Sequence, residues 1–179
     1  VYTPFWRAVA AREIAAPLPA ATHLPPPAQW PASDPLDAWA LGAAMWRGAA
    51  VLLAHQQVGE AAAQARLQRF LAGPVRAYAS ARDQIGLQDA TSGLSENLAW
   101  GEIGPRSIWA AGVWARDEGA AGAEVFLKEL VWREFAAHLL YHSPHILTEP
   151  WREGWENFGW RADNADAERW HRGMTGEPI

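Results

Sequence analysis

Three side chains in one uninterrupted stretch, Glu129, Trp132 and Arg133, are of types that can bind and act on a flat, polar molecule. Spaced three and four residues apart, they share one face of a helix together with Ala136. A carboxylate can share a proton, a guanidinium can pair with an anion, and an indole can stack on a planar ring. The alternative is an ordinary helix-surface ion pair between Glu129 and Arg133, with Trp132 in the core.

The stretch that carries these side chains, residues 126–142, predicts the central helix of the fold. It contains no Gly or Pro, and Ser143-Pro144 ends it. Apolar residues surround most of its circumference, so we expect a buried helix. In this chain Leu130, Val131, Phe135 and Leu139 cannot all be covered by the remaining short helices, and we therefore expect a large exposed apolar patch.

A second group of candidate residues lies in the 91–95 loop, Thr91-Ser92-Gly93-Leu94-Ser95. Hydroxyl groups and backbone N–H groups at the start of a helix can hold an anion such as a diphosphate. The alternative is a simple helix cap made by Ser92 or Ser95. Upstream, Tyr78 and Arg82 are one helical turn apart and share a face, which is usually a surface feature.

The elements that must position these residues are short helices joined by long loops. Residues 1–46 are rich in proline and predict an extended connector, with a capped short helix at residues 33–37. Downstream, apolar spacing and Gly or Pro boundaries predict helices at residues 60–70, 75–82, 105–114 and 166–172. No period-2 pattern of useful length occurs, so the predicted fold class is all-α.

Composition excludes several classes of protein. The 179 residues carry a net charge of −5 and no cysteine, which argues against a generally basic nucleic-acid binder, a disulfide framework and a cysteine metal site. His138 and His142 lack a third ligand at a persuasive spacing, so we predict no metal site. Without a membrane-spanning run or a secretory signal pattern, we predict a cytoplasmic protein. Twelve tryptophans suit a protein that stacks on rings or moves electrons.

Several short motifs, in order along the chain, resemble those of the DNA photolyase/cryptochrome family, most closely the class I enzymes that repair cyclobutane pyrimidine dimers. They lie at residues 3–8 (TPFWRA), 78–83 (YASARD), 91–95 (TSGLS), 101–106 (GEIGPR), 129–135 (ELVWREF) and 172–179 (RGMTGEPI). The resemblance implies a multi-helical FAD-binding domain. Residues 1–46 would be the interdomain linker and residues 47–179 the first half of that domain.

For the parent protein, the resemblance implies light-driven electron transfer from reduced FAD to a pyrimidine dimer in double-stranded DNA, a carbon–carbon lyase activity. It implies no membrane and no protein partner. An antenna chromophore would belong to a domain before Val1, and residues 1–179 alone would be inactive. The alternatives are a cryptochrome-like blue-light sensor with the same fold and FAD but no repair activity, and a degenerate remnant that binds nothing.

The resemblance also implies roles for individual residues. Tyr78 and the 91–95 loop would bind FAD, and Arg82 and Arg133 would serve the DNA backbone. Trp132 would stack on a flipped thymine that Glu129 hydrogen-bonds. Trp160 would be the outer member of the electron relay that re-reduces the flavin. Two departures, Gly93 where the family often has Arg and Glu96 where it often has Pro, predict weaker affinity for FAD.

Overall fold

Over the residues that the structure describes, the chain consists of helices and loops without a strand, which confirms the all-α prediction. The structure is a computed structural model that describes residues 2–45, 47–159, 161 and 163–177. The α-helices are α1 (Tyr2–Ala10), α2 (Arg47–Leu53), α3 (Glu60–Ala72), α4 (Tyr78–Ala81), α5 (Ser95–Ala99), α6 (Pro105–Asp117), α7 (Ala123–His142) and α8 (Ala165–His171). Short 3-10 helices lie at Leu36–Trp39, Ala43–Met45, Pro74–Arg76, Pro144–Leu147 and Trp155–Asn157.

The central helix α7 is buried along its first two-thirds. Its buried residues, Ala123, Phe126, Leu127, Leu130, Val131 and Phe135, recur at helical spacing. Beyond Phe135 the helix is largely exposed. The prediction of a buried helix is therefore right for the N-terminal part and wrong for the C-terminal part, where small and polar residues such as Ala136, His138 and His142 interrupt the apolar stripes.

The core around α7 is built from α3 and α6 and from three aromatic rings. Phe70 of α3, Tyr78 of α4 and Phe126 of α7 lie with ring centroids 4.7–5.8 Å apart, two of the three pairs edge to face. Gly122 allows this approach, because a Cβ there would lie 2.2 Å from the Val75 carbonyl oxygen. A side chain at position 122, just before α7, would also lie 2.9 Å from the Cβ atom of Tyr78, so glycine is needed for this close contact.

Helix α1 corrects the prediction that residues 1–46 are extended throughout. Residues 2–10 are helical, with Pro4 in the first turn where proline is tolerated. The Tyr2 and Phe5 rings pack on Phe135, at centroid distances of 5.7 and 5.2 Å. Trp6 lies 6.4 Å from Trp109 of α6.

The prediction that these α7 residues form a large exposed apolar patch is therefore wrong. Leu130, Val131 and Phe135 are 8, 2 and 9 % exposed, and Leu139 is half-buried. The segment taken for an extended connector begins with a helix whose aromatic side chains cover Phe135.

The proline-rich segment that follows α1 is free of helix from residue 13 to residue 35, as predicted. The short helix after it is a 3-10 turn that begins behind Pro35, and in this described region no side chain makes the predicted cap. Exposed Trp30 and Trp39 lie in this part of the chain.

The described residues divide into two compact units, Val1–Phe135 and Ala136–Ile179. The first unit contains the core described above, and the second contains the C-terminal end of α7, two 3-10 turns and α8. The linker and domain boundary at residues 46 and 47 stays a prediction. In the described ranges, no helix combines the length and the apolar character that a membrane span requires.

Candidate functional site

A cavity of about 480 Å³ in the first unit brings most of the predicted site residues together. Its polar walls come from Tyr78, the 91–95 loop, Glu129 and Arg133. Its apolar walls come from α5, α6 and α7, through Leu98, Ile108, Phe126 and Leu130. Residues from well-separated parts of the sequence thus face one space that is large enough for a small-molecule ligand.

The 91–95 loop forms one wall through an unusual backbone turn. Gly93 has a φ of 63°, in the left-handed region, and Leu94 follows with φ −89° and ψ 0°. A left-handed residue next to a right-handed one turns successive N–H groups to one side and makes a concave site for an anion. The predicted serine cap is wrong within this described segment, because Leu94 occupies the cap position and no side chain bonds there.

Arg66 of α3 supports this loop from outside the cavity, a contact that the sequence analysis missed. Its Nη1 donates to the Gly93 carbonyl oxygen at 2.6 Å and to Asn97 Oδ1 at 3.3 Å. The same group forms an ion pair with Glu96. The available signal was the position of Arg66 three residues after buried Ala63, which places a charge toward the inner face of α3.

Asn97 continues this network as a fully buried polar residue. Its Nδ2 donates to Glu102 Oε2 at 2.6 Å and to the Gln57 carbonyl oxygen at 3.4 Å. Buried amides are costly unless bonded, so these contacts fix the side chain in one orientation. The loop is consequently tied to α3, α5 and the turn before α6.

Glu129 forms an ion pair with Arg82, and not with Arg133 as the helix-surface alternative holds. Arg133 pairs with its neighbour Glu134 at 3.0 Å. The hydrogen bond to Glu129 and its charge raise the pKa of Arg82 above its ordinary value. Burial, and then the Glu129 charge, raise the pKa of Tyr78. Three of the predicted residues, Tyr78, Arg82 and Glu129, therefore act as one electrostatic group.

Trp132 lies apart from the cavity walls formed by Glu129 and Arg133. Its ring stacks on Tyr2 of α1, with centroids 3.6 Å apart and planes 8° from parallel, and remains 42 % exposed. Of the three residues predicted to share one helix face, Glu129 and Arg133 line the cavity and Trp132 does not. Trp160, the predicted relay residue, lies outside the described residues.

The apolar and polar residues that line the cavity are arranged in a way that suits a flavin dinucleotide. Apolar residues line the part formed by α6 and α7, and hydroxyl and backbone groups of Thr91, Ser92 and Ser95 line the part formed by the loop. A flavin dinucleotide requires this combination, because a flat ring system and a charged diphosphate belong to the same molecule. The residues present therefore fit the predicted cofactor.

The chain is similar in sequence to known proteins. A family described as the FAD binding domain of DNA photolyase matches residues 126–179. The chain is 38 % identical to a deoxyribodipyrimidine photo-lyase of Agrobacterium fabrum, covering 100 % of this chain and 38 % of the relative. It is 34 % identical to a protein of that name from Thermus thermophilus, with the same coverage.

The fold is also similar to that of a solved protein. A crystal structure of a bacterial class III photolyase from Agrobacterium tumefaciens superimposes with a TM-score of 0.87 and 37 % sequence identity. The similarity covers 99 % of this chain and 37 % of the solved one. The chain thus spans somewhat over a third of the length of the proteins that it matches.

Proposed function

We propose that this chain, which belongs to the DNA photolyase family, is part of a flavoprotein that uses light to repair cyclobutane pyrimidine dimers in DNA. The family predicted from the motifs is confirmed. The similar solved structure is that of a class III photolyase, so the assignment to class I stays a prediction. Because the chain spans 38 % of the length of its relatives, the activity and the DNA partner of the whole protein are proposals.

The observation that carries the proposal is the shared cavity of the 91–95 loop and α7. The residues of the loop and Glu129 line this one cavity, so a molecule that fills it would contact both. An enzyme that passes an electron from cofactor to substrate needs its cofactor pocket open beside the substrate groups. The 91–95 loop would hold the FAD diphosphate, and Tyr78 would line the wall between phosphate and ring.

Reduced FAD, when bound, supplies the electron that light drives into the dimer. Glu129 would hydrogen-bond a thymine of the dimer, and its ion pair with Arg82 holds the carboxylate in place. Both side chains are about one-third exposed, so the pair lies where a DNA strand can reach it. Arg82 would then contact a DNA phosphate, a task that suits its planar fork of donors.

Trp132 would provide the surface for the extruded base. Its indole has one face covered by Tyr2 and is 42 % exposed, which leaves room for one stacked ring. Stacking on a flat aromatic side chain is the usual way in which a protein holds a base taken out of the duplex.

The test is to purify the native protein that carries this chain, reduce it, and illuminate it with blue light and a duplex that contains a single thymine dimer. We expect dimers to be split in proportion to bound flavin, with no splitting in the dark. A protein that holds flavin but leaves the dimer intact would be the cryptochrome-like sensor instead. A protein that binds no flavin would overturn both candidates and leave the degenerate remnant.

A further inference from the structure

We infer that Arg66 is a positioning residue that sets the anion-binding shape of the 91–95 loop, and with it the affinity of the protein for the diphosphate part of FAD. The inference rests on the proposed binding of FAD and adds a residue from α3 to it. Arg66 lies 27 residues before Gly93 in the sequence, outside every motif considered above.

The backbone of the loop provides the first step. The left-handed conformation of Gly93, followed by the right-handed one of Leu94, is the pattern that turns neighbouring N–H groups toward a common anion. Such a turn is useful only if its peptide planes are held in one orientation. The side chain that holds them is Arg66, whose Nη1 donates to the Gly93 carbonyl oxygen at 2.6 Å.

The geometry of the peptide bond gives the second step. The peptides in the described ranges are all trans, and in a trans peptide the carbonyl and the following N–H point in opposite directions. Arg66 lies outside the 480 Å³ cavity, in an outer groove of about 350 Å³ that His55, Arg69 and Gly93 also line. By holding the Gly93 carbonyl toward this groove, Arg66 turns the Leu94 N–H away from the groove, and Leu94 itself lines the cavity.

Arg66 is itself held rigidly, which is the third step. Its side chain is 13 % exposed and is shared among the Gly93 carbonyl, Glu96 and Asn97. Asn97 is in turn fully buried and bonded to Glu102. All three contacts are made by the one nitrogen Nη1, which the planar guanidinium holds in a fixed direction. Lysine at position 66 would keep the charge, but its ammonium ends a flexible stem and would hold the carbonyl less firmly.

The network around Arg66 also bears on the negative charge of Glu96. A carboxylate one residue after the loop would repel a diphosphate if it were unpaired. The ion pair with Arg66 neutralises it within the network. Arg66 thus offsets the weaker affinity for FAD that Glu96 alone predicts.

The experiment compares FAD with riboflavin, which lacks the diphosphate, as ligands of the deflavinated native protein. The variants are Arg66→Met, Arg66→Lys and a control, Arg69→Met. Arg69 is on the same helix and borders the same outer groove, so its loss removes a positive charge near the loop. Dissociation constants come from quenching of flavin fluorescence.

We expect Arg66→Met to raise the Kd for FAD by about tenfold or more, since bonds that involve a charged group are the strong ones. The Kd for riboflavin should change by less than about twofold, because no phosphate contact is lost. Arg66→Lys should lie between wild type and Arg66→Met, and Arg69→Met should be close to wild type. If Arg66→Met weakens the binding of FAD and of riboflavin equally, the role of Arg66 is purely structural. If Arg66→Met and Arg69→Met weaken the binding of FAD equally, the effect is one of general positive charge. Either result overturns the inference.

Amide hydrogen exchange of residues 91–97 without cofactor tests the positioning step separately. We expect faster exchange in Arg66→Met and unchanged exchange in Arg69→Met. One outcome is that the wild-type protein binds no FAD, while Arg66→Met still exchanges faster than wild type and Arg69→Met does not. In that case the proposed function fails and the positioning step stands. Unchanged exchange in Arg66→Met overturns the positioning step itself.

Discussion

The rings of Tyr2 and Trp132 lie face to face across the contact between α1 and α7, with centroids 3.6 Å apart. The Tyr2 hydroxyl donates to the Lys128 carbonyl oxygen at 2.5 Å, and this bond fixes the ring over the indole. Phe135 packs edge to face against both rings. One face of Trp132 is therefore filled by the protein itself, and a base can stack only on the other.

Trp132→Ala in the native protein should weaken binding to dimer-containing DNA much more than binding to undamaged DNA. The reason is that only an extruded base reaches the indole, and each base–aromatic stack is worth about 1–3 kcal/mol. Titration of both DNAs with the variant and the wild type gives the comparison. Equal losses on damaged and undamaged DNA would show that Trp132 does not contact the lesion.

Tyr2→Leu should lower the free energy of unfolding of the chain more than Tyr2→Phe does. Phenylalanine keeps the ring on Trp132 and loses only the bond to Lys128, worth about 0.5–1.5 kcal/mol. Leucine also loses the aromatic contact, which is worth about 0.5–1.5 kcal/mol more. Urea unfolding of the two variants measures the difference, and equal effects would show that the stacked geometry contributes nothing.

Glu129→Gln should lower the quantum yield of repair more than it lowers the flavin content. The amide keeps the shape of the side chain and removes the charge that pairs with Arg82. Flash-driven repair is counted per bound flavin. Glu124→Gln is the matched control, because Glu124 lies on the same helix and pairs with Lys128 at the surface. An unchanged yield in Glu129→Gln would make that carboxylate a structural group only.

Gly122→Ala should destabilise the fold by about 1–3 kcal/mol, the usual range for an overpacked core. The added Cβ would lie 2.2 Å from the Val75 carbonyl oxygen and 2.9 Å from the backbone nitrogen of Tyr78, and backbone atoms cannot move aside easily. Thermal unfolding measures the loss. Gly86→Ala is the control, since a Cβ at that position meets nothing within 4 Å. A Gly122 variant as stable as this control would contradict the close approach.

The stability of the chain should fall at alkaline pH because of two tyrosines. Burial first, and then the Glu129 charge, raise the pKa values of Tyr2 and Tyr78 above the ordinary value of 10.0. The neutral hydroxyl is thus favoured in the folded state. This contribution is fully present below about pH 10, where the unfolded tyrosine keeps its proton, and is lost as the pH rises through the folded-state pKa.

Urea unfolding between about pH 8 and pH 11 measures this dependence. Replacing both Tyr2 and Tyr78 by Phe should make the alkaline decline shallower, with Tyr141→Phe as the surface control. The same slope in the double variant and the wild type would contradict the direction of the two pKa shifts.

The sequence was sufficient to predict the helices whose local signals agree with their packing. Helices α3 and α7 have no Gly or Pro between their boundaries, α6 begins at Pro105 and continues through Gly112, and the predicted positions of all three are confirmed within a few residues. The residues that meet in the cavity, Tyr78, the 91–95 loop, Glu129 and Arg133, had been singled out from motif resemblance. Spacing alone left a surface alternative for Tyr78, Glu129 and Arg133, and a simple helix cap for the loop.

Sequence patterns did not predict the contacts between distant segments. Prolines dominate residues 17–35, and their signal concealed the helix at residues 2–10 that precedes them. The partner of Glu129 is 47 residues away, at Arg82, so the helical spacing to Arg133 pointed to the wrong residue. Arg66 was missed because its position toward the inner face of α3 does not indicate which distant loop the side chain contacts.

The contact between Tyr2 and Lys128 joins residues 126 positions apart, which has a consequence for how the chain folds during synthesis. Helix α1 leaves the ribosome before α7 does, so the surface on which it packs does not exist until α7 has emerged. Closing so long a loop is slow compared with forming a single helix. Phe135 and Trp132 therefore remain uncovered in the nascent chain until α1 packs on α7, and transiently exposed apolar surface of this kind promotes aggregation.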